Sequence, residues 1–165
     1  MRNRRGISGT RGGKPRVLVD TTFLLPALGI EVEEEAMRAI ELFRMLDVYY
    51  LEAGLLEALW KTLKLVPLER LGRVELGVRA IRRTYRVLLP GARAFTLASE
   101  IYHRGHRDYI DALHYAAART EGLPLLTIDR SFIAFLEASG YRVEGVVYTP
   151  RSLPGLLGDA AGRRG

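Results

Sequence analysis

A chain of 165 residues, 48% apolar and 27% charged, has the size for one domain with its own core and the balance of a soluble globular protein. It has no cysteine, which excludes a disulfide framework, a thiolate nucleophile and a thiolate metal site. The formal net charge is +6, and all of it lies in the first 16 residues: Arg2, Arg4, Arg5, Arg11, Lys14 and Arg16 have no acid among them, while the remainder holds 19 basic and 19 acidic residues.

That first stretch is Gly-rich and aperiodic, so residues 1–15 are expected to be a disordered basic arm. Such an arm favours contact with a polyanion, nucleic acid above all, and reads equally as a solubilising tail. No apolar run reaches the ~20 residues of a membrane span, and the N-terminus lacks the apolar centre of a signal peptide, so no membrane partner is expected and the cytoplasm is the expected location. Arginine outnumbers lysine 22 to three, with one asparagine and no glutamine. Few thermolabile amides suit a protein from a hot environment; a GC-rich genome would favour arginine too.

Arg16-Val17-Leu18-Val19-Asp20 is a short apolar run ending in an acid, which predicts a central strand covered on both faces. Asp20-Thr21-Thr22 offers N-cap chemistry for a helical segment from Phe23 to about Leu28, with Pro26 tolerated near its start. Glu33 to Leu46 predicts an amphipathic helix with Ala36, Ile40, Phe43 and Leu46 as its stripe. A strand follows at Val48–Leu51. Ala53 to Leu65 predicts a helix that is apolar on nearly every side yet carries Glu57. Leu68 to Arg86 predicts a longer helix with Leu71, Val74, Val78 and Ile81 inward and arginines outward. Val87–Leu89 is a short strand, and Phe95 to Arg104 a helix stopped by Gly105. Asp108 caps the next helix, which Gly122 ends. Pro124–Ile128 is a buried strand, and Asp129 opens a helix through Ala138. Tyr141–Val147 is a last, edge strand. From Pro150 the Gly- and Pro-rich chain is expected to be a loose tail over residues 150–165.

Strands alternating with helices predict an α/β fold: a three-layer α/β/α sandwich around a mainly parallel sheet of four to five strands, spanning residues 16–149. Ligands of such sheets bind beyond the carboxyl ends of the strands. Asp20 and Asp129 both fall just past a strand, and Asp111 begins a helix near that rim. Each has a plain explanation. Asp20, Asp108 and Asp129 can cap the helices that follow them, Asp111 suits a first turn, and Glu57 can pair with Lys61 four residues on. Glu57 strains that account, because Leu55, Leu56, Ala58 and Leu59 surround it and a buried carboxylate needs a compensating cation. Carboxylates converging on one rim need protons or cations as well. Hard oxygen donors without cysteine point to Mg²⁺ or Mn²⁺, which serve phosphoryl chemistry.

VLVDTTFLL with Asp20, LLEALWKTL with Glu57, and DALHYAAARTEGLPLLTIDRSF with Asp111 and the Thr127-x-Asp129 pair together resemble the PIN (PilT N-terminus) domain family of metal-dependent nucleases, from about Val17 to Val147. The resemblance implies that Asp20, Glu57, Asp111 and Asp129 bind one or two Mg²⁺ or Mn²⁺ ions and direct water onto a phosphodiester of single-stranded RNA. It implies orienting roles for Thr22 and Thr127, with Asp108 beside them as a cap. Arg104, Arg107 and Arg130 are candidates for the RNA backbone. A protein antitoxin and a homodimer are the partners it suggests, the latter through the apolar helix around Leu55 to Leu65, which reads equally as core. The rival reading is a non-catalytic RNA-binding or ribosomal-RNA-processing accessory module. His103 and His106 flank Gly105 and with Asp108 could mimic a metal cluster, the weaker reading, and His114 reads as a helix-face residue. No Gly-x-Ser-x-Gly elbow, P-loop or dinucleotide fingerprint is present.

Overall fold

The computed structural model describes residues 13–162, so the basic arm expected over residues 1–15 lies almost wholly outside the described residues. Five strands form one sheet: β1 (Arg16–Val19), β2 (Asp47–Leu51), β3 (Arg86–Leu88), β4 (Leu125–Leu126) and β5 (Val147–Tyr148). Their order is β3-β2-β1-β4-β5, and every pair is parallel. Parallel strands need crossovers, and the apolar runs between turn signals supply them as helices.

β1 shows why the sheet is covered twice. Val17 and Val19 face one buried cluster and Leu18 faces the other, as the two-residue period of a strand demands. On the first face lie α1 (Glu34–Glu41), α2 (Glu52–Leu63) and α3 (Leu71–Thr84), with Ala36, Leu55 and Ile81 as buried anchors. On the second lie α4 (Ala92–His103), α5 (Tyr109–Glu121) and α6 (Arg130–Ala138), anchored by Ala98, Ala116 and Leu136. The three-layer expectation holds, with all five strands parallel.

Local geometry departs from expectation in four places. Thr21–Leu28 is a 3-10 helix of eight residues, ended by Gly29 at φ 86°. That is long for such a helix, and α3 packs so tightly against it that a Cβ on Gly77 would overlap the carbonyl oxygen of Ala27. The helix predicted to Leu46 ends at Glu41 and tightens into a 3-10 turn, Leu42–Met45. The last strand is only Val147–Tyr148, because the backbone N–H groups of Val146 and Val147 both turn back to the Val143 carbonyl across Gly145, at φ 71°.

The fourth departure is the C-terminus. As far as the described residues run, the chain after Pro150 is not a loose tail: Leu153–Gly162 is a helix, α7, begun by a turn in which Ser152 Oγ accepts from Thr149 N at 2.9 Å. Leu153 is fully buried in the first core, with Leu156 and Leu157 packed against it. These three leucines stand at helical spacing, and Pro154 falls in the first turn, where proline is tolerated. Among the described residues no helix is long and apolar enough to cross a membrane.

Candidate active site

The strand order reverses between β1 and β4, and the crevice past their carboxyl ends is where an open α/β sheet binds ligands. Asp20 follows β1 directly, and its N–H donates to the Leu126 carbonyl at 3.1 Å. Thr127 follows β4 and stands behind two acids. Its hydroxyl donates to the Asp20 carboxylate, and its Oγ1 accepts from Asp129 N at 3.1 Å. Asp20 also accepts from Thr22 N at 2.9 Å, and Asp129 Oδ1 from Phe132 N at 2.8 Å. Both aspartates therefore cap helices, as their positions predict, while lying at the switch point.

Asp108 caps α5, accepting from Ile110 N at 3.0 Å and Asp111 N at 3.1 Å. This sets Asp111 in the first turn of α5. Glu57, on α2, is reached by two donors: the Thr21 hydroxyl and Lys61 Nζ, the latter at 3.1 Å. Its side chain is 21% exposed, so it is partly buried. Thr21 was expected only as capping chemistry; the 3-10 helix turns its hydroxyl toward α2 instead.

The acids lie close enough to act on one another. Burial pushes the Asp111 carboxyl up to about 8, and the charges of Asp108, Asp129, Asp20 and Glu57 add to that. Burial raises Asp20 to about 6, against hydrogen bonds from Thr127 and Thr22 and the charge of Lys61. Among the described residues no three acidic or imidazole groups stand in the mutual arrangement of a ready-made metal cage. Glu57 is held toward Lys61, Asp129 toward its own helix, and Asp111 toward an imidazole. The donor set nevertheless suits a hard divalent cation: the four acids supply oxygen donors only, and a cation would relieve their mutual repulsion.

That imidazole is His106, a residue the acid pattern passed over. Its Nε2 lies 3.3 Å from Asp111 Oδ2, and its ring stacks on Phe132 at 4.3 Å. Burial lowers its pKa against the pull of Asp108 and Asp129. The contact is a long hydrogen bond between the imidazole and the Asp111 carboxyl. His114, expected on a helix face, is buried. Its Nδ1 bonds the Ile110 carbonyl at 2.8 Å, and its Nε2 has no hydrogen-bond partner among the described residues. Gly54 of α2 makes room for it, since a Cβ there would lie 2.9 Å from Nε2.

The three candidate arginines differ. Arg104 pairs with Glu100 at 2.9 Å and lies over the Tyr141 ring, and Arg130 pairs with Glu35 at 3.6 Å. Arg107 lies over the Tyr102 ring at 5.1 Å. Such exposed pairs are weak, so they do not hold these side chains from another anion. On α2 the choice between core and interface divides by face: Leu55 and Ala58 are buried, while Leu56, Trp60 and Leu63 form a stripe 63–66% exposed. A separate concavity of ≈ 430 Å³, lined by Leu28, Ile30, Leu65, Pro67, Arg70 and Arg73 among others, includes none of the four acids.

An all-parallel three-layer domain with carboxylates gathered at its switch point defines the class. The PIN domain family model matches residues 17–135, and the chain belongs to that family. PIN domains are generally nucleases, and those nucleases generally use divalent metals. Solved structures share the fold at low sequence identity. A toxin–antitoxin complex from Klebsiella pneumoniae has 17% identity and a TM-score of 0.58, over 81% of this chain and 97% of that one. PAE2754 from Pyrobaculum aerophilum has 20% identity and a TM-score of 0.55, over 90% and 98%. FitAB bound to an IR36 DNA fragment has 19% identity and a TM-score of 0.57, over 81% and 94%. No curated protein matches the sequence.

Proposed function

We propose that the protein is a Mg²⁺- or Mn²⁺-dependent endoribonuclease that hydrolyses single-stranded RNA, with Asp20, Glu57, Asp111 and Asp129 as the residues that hold the cation. The observation that carries this reading is the carboxyl of Asp111, raised to about 8 by burial and by four neighbouring carboxylates. A cluster of that kind stores like-charge repulsion which a divalent cation relieves. Bound there, such a cation lowers the pKa of water and neutralises charge building on a phosphate.

The rest is the work of the chain. Thr127 and Thr22 fix Asp20, while Thr21 and Lys61 fix Glu57. The N-termini of α5 and α6 point partial positive charge at the rim and steady Asp111 in the first turn of α5 and Asp129 at the N-cap of α6. Arg107 and the basic arm offer positive charge to the RNA backbone, whose unpaired segments expose their phosphates.

A protein antitoxin and a second copy of the chain are the proposed partners. The solved toxin–antitoxin complex supports the first by likeness of fold, and the exposed Leu56–Trp60–Leu63 stripe supports the second. The test is labelled single-stranded RNA incubated with Mn²⁺, with Mg²⁺, with EDTA and with the Asp111→Asn variant. Cleavage is expected with metal and the native chain alone. Cleavage that persists in EDTA or in the variant refutes the mechanism. Tight RNA binding without cleavage under any metal would instead favour a non-catalytic module, a reading to which the capping roles of Asp20 and Asp129 also lend themselves.

A further inference from the structure

We propose that His106 is a nitrogen ligand at this rim, which makes the site a mixed nitrogen–oxygen one that takes Mn²⁺ in preference to Mg²⁺. The inference rests on the reading of the acids as cation ligands and goes beyond it, since those four residues supply oxygen alone.

Three features of His106 point the same way. The first is how the chain delivers it. Gly105 has φ 122°, a conformation L side chains rarely adopt, and this turn between α4 and α5 carries His106 back over α6. The second is rigidity. The ring lies on Phe132 with centroids 4.3 Å apart and planes 29° apart, and against Phe135 at 5.3 Å. A side chain already immobilised by packing loses little further entropy on binding.

The third is the spacing of donors. Nε2 and Asp111 Oδ2 are 3.3 Å apart, longer than the roughly 2.8 Å of a good charge-assisted hydrogen bond. Neighbouring donors on one octahedral cation, each about 2.1 Å away at right angles, stand about 3 Å apart. The nitrogen and the oxygen are therefore already near the separation that a shared ion imposes. The groups facing the ring are Asp108, Asp111 and Asp129, with no basic side chain among them to repel a cation.

Donor chemistry then sets the metal. Mg²⁺ prefers an all-oxygen octahedron and gives up its waters reluctantly. Imidazole suits the first-row transition metals, among which Mn²⁺ also accepts carboxylate and water. One nitrogen among several carboxylates shifts the choice from Mg²⁺ toward Mn²⁺.

The experiment uses the full chain, stripped of cations and titrated with Mn²⁺ and with Mg²⁺ by calorimetry, alongside pulsed electron paramagnetic resonance of the Mn²⁺-loaded protein. His106→Phe keeps a ring against Phe132 while removing both nitrogens. The native chain should show ¹⁴N coupling from a directly bound imidazole, and His106→Phe should abolish it. The variant should lose at least about tenfold in Mn²⁺ affinity and less than about threefold in Mg²⁺ affinity; a residue that only orients Asp111 would weaken both ions alike. Mn²⁺ bound without nitrogen coupling, or coupling that survives His106→Phe, overturns the assignment of His106 and leaves the acids' role standing. No binding of either ion by the native chain overturns both.

Discussion

Replacing Asp111 with asparagine should stabilise the cation-free protein, and the gain should grow with pH. The Asp111 carboxyl has an ordinary value of 3.8 and a folded value of about 8. Between those values the folded chain binds a proton that the unfolded chain has lost. Stability therefore falls as pH rises through this window and levels off above it. The interval, at about 1.4 kcal/mol for each pH unit, is on the order of 5 kcal/mol before salt screens the cluster. Asparagine cannot ionise, so it escapes this penalty while keeping the size of the side chain. If half is recovered, a gain of ~2–3 kcal/mol raises the melting temperature by about 5–10 °C for a chain of this length. Calorimetry in EDTA at pH 5, 7 and 8.5 reads it directly. The gap should be small at pH 5 and full at pH 8.5. Asp20, raised to about 6, leaves a weaker pH dependence of the same sign in the variant. Saturating Mn²⁺ should narrow or reverse the gap, since a ligand at 100 times its Kd adds about 2.7 kcal/mol to the chain that binds it. A variant that is less stable at every pH in EDTA, or a gain that ignores pH, would refute the electrostatic account of the rim.

Gly77→Ala should cost at least about 3 kcal/mol, because its Cβ would overlap the backbone carbonyl of Ala27, whereas Gly72→Ala on the same helix faces open space and should gain about 0.5–1 kcal/mol; urea unfolding of the two variants checks the contrast. Leu153→Ala should cost about 2–5 kcal/mol if α7 belongs to the core, and an unchanged denaturation midpoint would return residues 150–162 to a loose tail. Trp60→Glu, on the exposed stripe of α2, should leave the melting temperature within a few degrees and convert a dimer to a monomer by sedimentation; a native chain that sediments as a monomer refutes the homodimer.

The framework was legible because its signals were local and mutually consistent. Val17-Leu18-Val19 reads as a doubly covered strand since alternate residues must enter two cores, and they do. Gly122 was read as a helix stop, and it sits at φ 69° as the C-cap of α5. The parts that escaped depend on contacts distant in sequence. Pro150 to Gly162 looks loose by composition, and only the core that receives Leu153 makes a helix of it. Thr21–Leu28 has the residues of an α-helix start, yet the close pass of Gly77 over Ala27 accompanies a tighter winding that no local pattern announces.

The rim divides the same way, and the division says what a pattern of acids can reveal. Asp20, Asp111 and Asp129 announced themselves because strand ends and helix starts are marked in sequence, and a parallel sheet must bring such ends to one edge. Capping and ligation were posed as rivals, but an observed cap does not use every carboxylate oxygen. The Asp129 cap engages Oδ1 alone, and capping is what fixes the carboxylate at the rim. A cap is therefore compatible with the ligand role proposed for the same acid. Thr21 and His106 had no such marker. Thr21 reaches Glu57 across 36 positions, and His106 reaches Asp111 only because Gly105 turns the chain and two phenylalanines of α6 hold the ring. Acids can be found from the ends of elements. The groups that hold and complement them can be found only after those elements have packed.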